Sequence, residues 1–184
     1  MISNKDMVAS KALTALMEIF TPTSSSVQCR VGLFSGTMPD LVLPPTIAQN
    51  MTITPAAFLA ALGVAQTQFL GCQHYSTTTG RRPTVTIGKN ADGSRNRKIN
   101  VNFTAVTTDL IGAANGTPTF FIAMRSSTST ADASTWAAFT GGTSVDDIII
   151  GTCGNEDSDA ELKIVGSNII LGQGYRMTDL NIQY

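Results

Sequence analysis

His74 stands two residues after Cys72, and this pair is the nearest the chain comes to a nucleophile beside its base. A Cys/His hydrolase also needs a third group to orient the histidine and recognisable surroundings for each partner. Neither accompanies Cys72, Cys153 or His74, so no catalytic residue is assigned and the chain reads as non-enzymatic. His74 is the single histidine, which excludes multi-histidine metal sites, and Cys72-Gln-His74 lacks a second pair of ligands. The run Asn155-Glu-Asp-Ser-Asp-Ala-Glu161 sets oxygens at alternate positions, as a calcium loop begins. It lacks the loop glycine and the distant bidentate glutamate at the offsets required, so a solvated turn is the better reading. Gly151-Thr-Cys-Gly154 and Gly172-Gln-Gly174 fall between strand-like runs with no helix after them, which makes them turn glycines, not phosphate cradles. No cofactor and no metal are expected.

Two further groups of residues point to binding instead of chemistry. Of the twelve Lys and Arg residues, six lie close together as Arg81, Arg82, Lys89, Arg95, Arg97 and Lys98. No aromatic residues are interleaved, no recognition helix flanks them and the net charge is −1, so nucleic acid is an unfavoured partner. A solvated hairpin fits better, as does a hairpin paired with an acidic patch on a neighbouring subunit, for which Asn155 to Glu161 qualifies. Trp136, the single tryptophan, and Phe139 stand in an otherwise small and polar segment. They are read first as buried anchors, with an exposed glycan-binding surface as the alternative.

Cys29, Cys72 and Cys153 are widely spaced and odd in number, a poor disulfide framework, and are expected to be reduced and buried. Met1-Ile-Ser-Asn-Lys-Asp begins no export signal, and no run approaches the ~20 apolar residues of a membrane span. Synthesis in a cytoplasm and no membrane partner are therefore expected.

These residues must be positioned by a mainly β chain. About one residue in seven is Thr, whose branched side chain suits a half-exposed pleated surface. At 184 residues the chain fits one domain, residues 23–184, preceded by a helical arm over 1–22. Ser3 and Asp6 fit a capping box, and Met7, Leu13, Leu16, Met17 and Phe20 share one helical stripe. That stripe packs on its own domain or on a neighbouring copy, and both remain open; its residues and the basic cluster are the candidate partner contacts.

Val27, Cys29, Val31 and Leu33 alternate with Gln28, Arg30 and Gly32, a strand with one buried face. Residues 40–54 read as an extended loop, and Thr54-Pro55 opens a short helix to about Ala65. Val85 and Ile87 against Ile99, Val101 and Phe103 form a hairpin across the turn at Asp92-Gly93. Phe120 to Met124 leaves neither face polar and predicts a strand covered on both sides. Residues 126–143 read as a loop or hairpin arm. From Val145 the chain reads as a meander, with strands near Leu162, Ile169 and Tyr175 onward, a bulge near Thr178-Asp179 and Tyr184 inside the sheet. Seven or eight strands of this spacing suit a single β-sandwich or jelly-roll-like domain.

The stretch Arg30-Val-Gly-Leu-Phe-Ser-Gly-Thr-Met-Pro39 resembles small virion proteins of tailed bacteriophages, in which a strand of the type R-x-x-L-[YF]-S-G-T-x-P opens the β domain. Phe120 to Arg125, Ile149-Ile-Gly151, Leu162 to Ile169 and Gly172-Gln173 leading to Tyr184 are similar to that group's closing half. The resemblance implies a non-enzymatic, multi-copy structural role in a virion, made in the host bacterial cytoplasm. Its partners would be other copies and other capsid, neck or tail proteins. The N-terminal helix, the Pro44-Pro45 loop and the long basic hairpin depart from the pattern. A host-surface carbohydrate receptor-binding module of a phage tail is the alternative.

Overall fold

The computed structural model describes residues 17–24, 27–40, 53–77, 80–93, 95–126 and 133–183. It is mainly β and of sandwich type. The strands are β1 (Gln28–Phe34), β2 (Phe69–Tyr75), β3 (Thr84–Lys89), β4 (Arg95–Asn102), β5 (Leu110–Ile111), β6 (Phe120–Ser126), β7 (Asp147–Asn155), β8 (Leu162–Ile164), β9 (Gly174–Tyr175) and β10 (Met177–Gln183). Two short helices, α1 (Pro55–Ala61) and α2 (Trp136–Thr140), and a helical turn at residues 17–20 accompany them. Eight strands run in the order β2-β1-β6-β7-β8-β10-β4-β3, and β5 pairs with β9.

β7 belongs to both layers. Asp147 to Thr152 pairs antiparallel with β6, whereas Cys153 to Asn155 pairs parallel with β8. A parallel pair ordinarily needs a long crossover. Here only three residues pair, so the short turn from Glu156 to Glu161 suffices to bring the chain back. The meander expected from Val145 is corrected at this point. It is corrected again at Ile169, which makes only an isolated bridge to Gly116 and no strand. The bulge near Thr178-Asp179 is present, between Met177 and Leu180 in the pairing of β10 with β8. Tyr184 lies outside the described residues.

The core has two parts. Cys29, Val31 and Leu33 of β1 and Phe121 of β6 face Val101 of β4, Leu162 of β8 and Leu180 of β10 between the layers. On the other side of the first layer, Phe34, Phe120, Ile122 and Phe139 form a second cluster with Leu59 of α1. β1 is therefore covered on both faces, which corrects the single buried face expected from its alternation. Gly32 shows why its small residue is required there: a Cβ would lie 2.8 Å from the Phe139 ring. Arg30, in the same phase, is buried beneath the helical side.

α1 starts where Thr54-Pro55 predicts, with Thr54 Oγ1 accepting from the Ala57 N–H. It stops four residues short of Ala65, because Gly63 turns the chain at φ +72°. The segment before Val145 carries a helix, α2, where a loop or arm is expected; Thr135 Oγ1 caps it by accepting from the Ala138 N–H. Its small residues hid the apolar stripe, which consists of little more than Trp136 and Phe139. At the other end, Ile19 and Phe20 are fully buried in the inter-layer core, although they precede the boundary expected at residue 22. The remainder of the expected N-terminal helix, and residues 41–52 of the expected loop, lie outside the described residues.

Candidate binding cleft

Trp136 is the first residue of α2, so the Thr135 cap fixes where its indole emerges. The ring is half-buried and packs edge-on against Phe69, with centroids 5.5 Å apart. Phe69 in turn contacts Phe34 and Phe139 at 5.6 Å each. Phe139 is buried, as its reading as an anchor requires. Trp136 instead forms the wall of an open groove of about 700 Å3, opposite Ile111 and Leu171. These two apolar side chains are 45% and 61% exposed.

Backbone hydrogen bonds hold that opposite wall in place. The Ala113 N–H donates to Leu70 O at 2.7 Å, fastening the chain after β5 to the edge strand β2. The Gly112 N–H donates to Gln173 O and the Gly172 N–H to Gly112 O, both at 2.8 Å. The Leu171 N–H is held by Asn115 Oδ1 at 2.8 Å. Leu171 is thus presented by two clamped loops.

A second cavity of about 330 Å3 adjoins the groove, and Ile111 and Ser134 line both. Its wall is polar and includes Gln73, His74, Arg81, Thr108 and Asp109. Ser134 Oγ accepts from the Ile111 N–H at 3.1 Å and so ties the two sides of the cleft together. Gln73 Nε2 donates to Thr108 O at 2.7 Å and lies 3.0 Å from its Oγ1. Arg176 Nε donates to Asp109 Oδ1 at 2.8 Å. From beneath, Arg30 Nη1 donates to Ala133 O at 3.3 Å, and Cys72 Sγ lies 3.5 Å from the same oxygen. The segment bearing Ser134 and Trp136 is therefore anchored by two buried side chains of the first layer.

The other residues singled out from the sequence fall elsewhere. Arg82 is exposed near the start of β3, and Lys98 lies on the outer face of β4, beside a depression that Glu161 also lines. The basic hairpin itself forms, with Lys89 opposite Arg95; the side chains of Arg95 and Arg97 lie outside what the structure describes. Met7, Leu13 and Leu16 also lie outside the described residues. Met17 is half-buried against the inter-layer core, and Phe20 is fully buried in it. Within the chain, the Phe20 ring packs against Tyr75 and Phe103.

Asn155 and Asp157 begin a turn in which the Ser158 N–H and Oγ–H both donate to Asn155 O. Glu161 accepts from the Thr152 N–H at 2.8 Å. Among the described residues, no three His, Cys, Asp or Glu side chains gather as a metal site. All three cysteines are buried thiols. Burial pushes the Cys29 and Cys153 thiols up to about 12, and it holds the Tyr75 hydroxyl well above its ordinary value. Arg125 bridges Glu18 and Asp147, the latter at 3.0 Å, yet burial still raises the Asp147 carboxyl.

Sequence reading found Trp136, His74, Cys72 and Arg81 but did not bring them to one place. Ile111, Leu171 and Ser134 escaped it, since nothing local marks a loop residue as the wall of a cleft. The available signal was that each ends a short apolar run directly before a glycine, Ile111 before Gly112 and Leu171 before Gly172. No protein-family model, curated protein or solved structure matches this chain.

Proposed function

We propose that this chain is a non-enzymatic structural component of a tailed-phage virion, attached in many copies to the capsid surface or to the neck or tail. The observation that carries the reading is the placement of the residues behind the resemblance. Arg30, Leu33 and Phe34 are all buried in β1, at the middle of the first layer. Ser35 and Gly36 then form a corner held from two sides. The Ser35 N–H donates to Gln68 O, Gln68 Nε2 donates to Ser35 O, and Thr119 Oγ1 donates to Gly36 O. The first half of the motif behind the resemblance thus lies in the framework of the domain, which supports reading that resemblance as one of architecture.

A sandwich of this size suits the role because specific contacts commonly bury on the order of 1,200 to 2,000 Å2 and many weak contacts add through symmetry. The test is cosedimentation of the purified chain with capsids and with tails of the phage that carries its gene. Association with one of them is expected, and flanking capsid or tail genes should agree with which one. A strictly monomeric chain with affinity for neither overturns the proposal.

A further inference from the structure

We propose that Asn115-Gly116 is a self-modification site, at which Asn115 deamidates through a succinimide when the loop at residues 169–171 opens. It is the one Asn-Gly pair in the chain. No Cβ shields the nitrogen of a glycine, so it is the backbone nitrogen best able to reach the carboxamide of the residue before it. Once deprotonated, the Gly116 nitrogen attacks Asn115 Cγ. The N–Cγ bond forms, the Cγ–Nδ2 bond breaks, and the amide group leaves as ammonia with the proton that the nitrogen gave up. Water then opens the ring at either carbonyl, giving aspartate or isoaspartate. No reactant other than water is needed.

Both reacting groups are held in the folded chain, and by the same short loop. The Gly116 N–H donates to Ile169 O at 3.0 Å, and the Ile169 N–H donates back to Gly116 O at 2.7 Å. The nitrogen becomes a nucleophile only by losing the proton that this bond occupies. Asn115 Oδ1 accepts from the Leu171 N–H at 2.8 Å, which fixes the carboxamide. The same two segments are joined on either side, where Thr117 Oγ1 donates to Asn168 Oδ1 at 2.6 Å and the Gly172 N–H to Gly112 O. Ile169 is buried in the inter-layer core, whereas Asn115, Ile170 and Leu171 are exposed. Water therefore reaches the pair as soon as the loop lifts. Gly116 is also required by packing: a Cβ there would lie 2.8 Å from Cδ2 of the buried Leu70. The substitution that would slow the reaction thus crowds the core, and hydrogen bonds are left to restrain it.

An isoaspartate carries the main chain through Cβ and adds one atom between residue 115 and Gly116. The bridge to Ile169 and the hold on Leu171 then no longer share one register, and the Leu171 wall of the groove loosens. The site is independent of the virion reading, since it needs only the folded chain. For the test, the full chain is incubated in mildly alkaline buffer with and without guanidinium chloride, and its peptides are followed by mass spectrometry for exchange of amide to acid. In guanidinium, Asn115 should react fastest of the asparagines. In the native chain its rate is the unfolded rate multiplied by the fraction of time the loop is open, so it should be lower by about tenfold or more. Hydrogen exchange at the Gly116 amide should report the same open fraction. Gly172 turns the chain after this loop at φ +80°, with nothing near its missing Cβ. Gly172→Ala strains that turn without a clash and should raise the native rate about tenfold, leaving the rate in guanidinium unchanged. An Asn115 that reacts as fast in the native chain as in guanidinium overturns the proposal. So does a Gly116 amide whose exchange is unrelated to the deamidation rate, a native rate that Gly172→Ala leaves unchanged, or another asparagine that outpaces Asn115 in guanidinium.

Discussion

Cys29 and Cys153 hold their sulfurs inside the sandwich, and burial is what raises each thiol from an ordinary value of 9.0 to about 12. The consequence is a stability loss confined to alkaline pH. Below pH 9 the folded and unfolded chains both keep the thiol protons, so the thiols contribute no pH dependence. Between pH 9 and about 12 the unfolded chain releases protons that the folded chain retains, and stability falls by about 1.4 kcal/mol per pH unit for each thiol. Urea unfolding at pH 8, 9 and 10 should therefore show a steeper fall above pH 9 for the natural chain than for Cys153→Ala. Parallel curves for the two proteins would mean that Cys153 does not titrate in this way. The burial of these thiols was legible, because three isolated cysteines make no disulfide framework. Arg30 was not legible. Its phase in an alternating strand assigns it to water, and only the added helical layer, with Phe139 over Gly32, puts it inside.

At the scale of elements, legibility followed how much of an element's pattern is local. β6 formed as read because the unbroken apolar run from Phe120 to Met124 marks a strand covered on both faces, and the β3–β4 hairpin because its apolar residues alternate and its turn is marked by Gly93. α2 was missed because five residues give too few turns to show a helical period. β7 was read as a strand, but its change of partner from β6 to β8 is a tertiary decision that no residue within it announces. β10 shows what such a partner choice means for stability. It lies between β8 and β4, opposite Leu162 on one side and Val101 and Ile99 on the other. Without it the β3–β4 hairpin has no neighbour in the sheet, and Leu162 and Ile164 lose the residues that cover them. An isolated hairpin is marginally stable at best. Deleting residues 177–184 should abolish cooperative thermal unfolding, and a soluble truncated chain with a single sharp transition would contradict the sheet order.

For the whole molecule, the question left open by the N-terminal stripe is whether it serves this domain or a neighbour, and Phe20 answers for its own position. Its ring lies 6.5 Å from Tyr75, at the end of β2 in the first layer, and 6.3 Å from Phe103, just after β4 in the second. One aromatic therefore extends the inter-layer core to this end of the sandwich. Arg125 adds a link on the same side by bridging Glu18 to Asp147, and the Cys29 thiol donates to Glu18 O at 3.3 Å. The helical end is thus fastened to β1, β2, β6 and β7 and to the chain following β4. Replacing a fully buried phenylalanine with alanine costs about 3–5 kcal/mol through lost transfer energy and the cavity left behind. In a chain of this length each kcal/mol lowers the melting temperature by about 2–4 °C, so Phe20→Ala should melt about 6–20 °C lower. Deleting residues 1–20 removes Ile19, Phe20 and the Glu18 link together and should leave no cooperative transition. If calorimetry instead finds Phe20→Ala as stable as the natural chain while its self-association weakens, the helical stripe belongs to a neighbouring copy. A lowered transition at unchanged association state assigns Phe20 to the interior of its own domain, and leaves contacts between copies to the exposed residues.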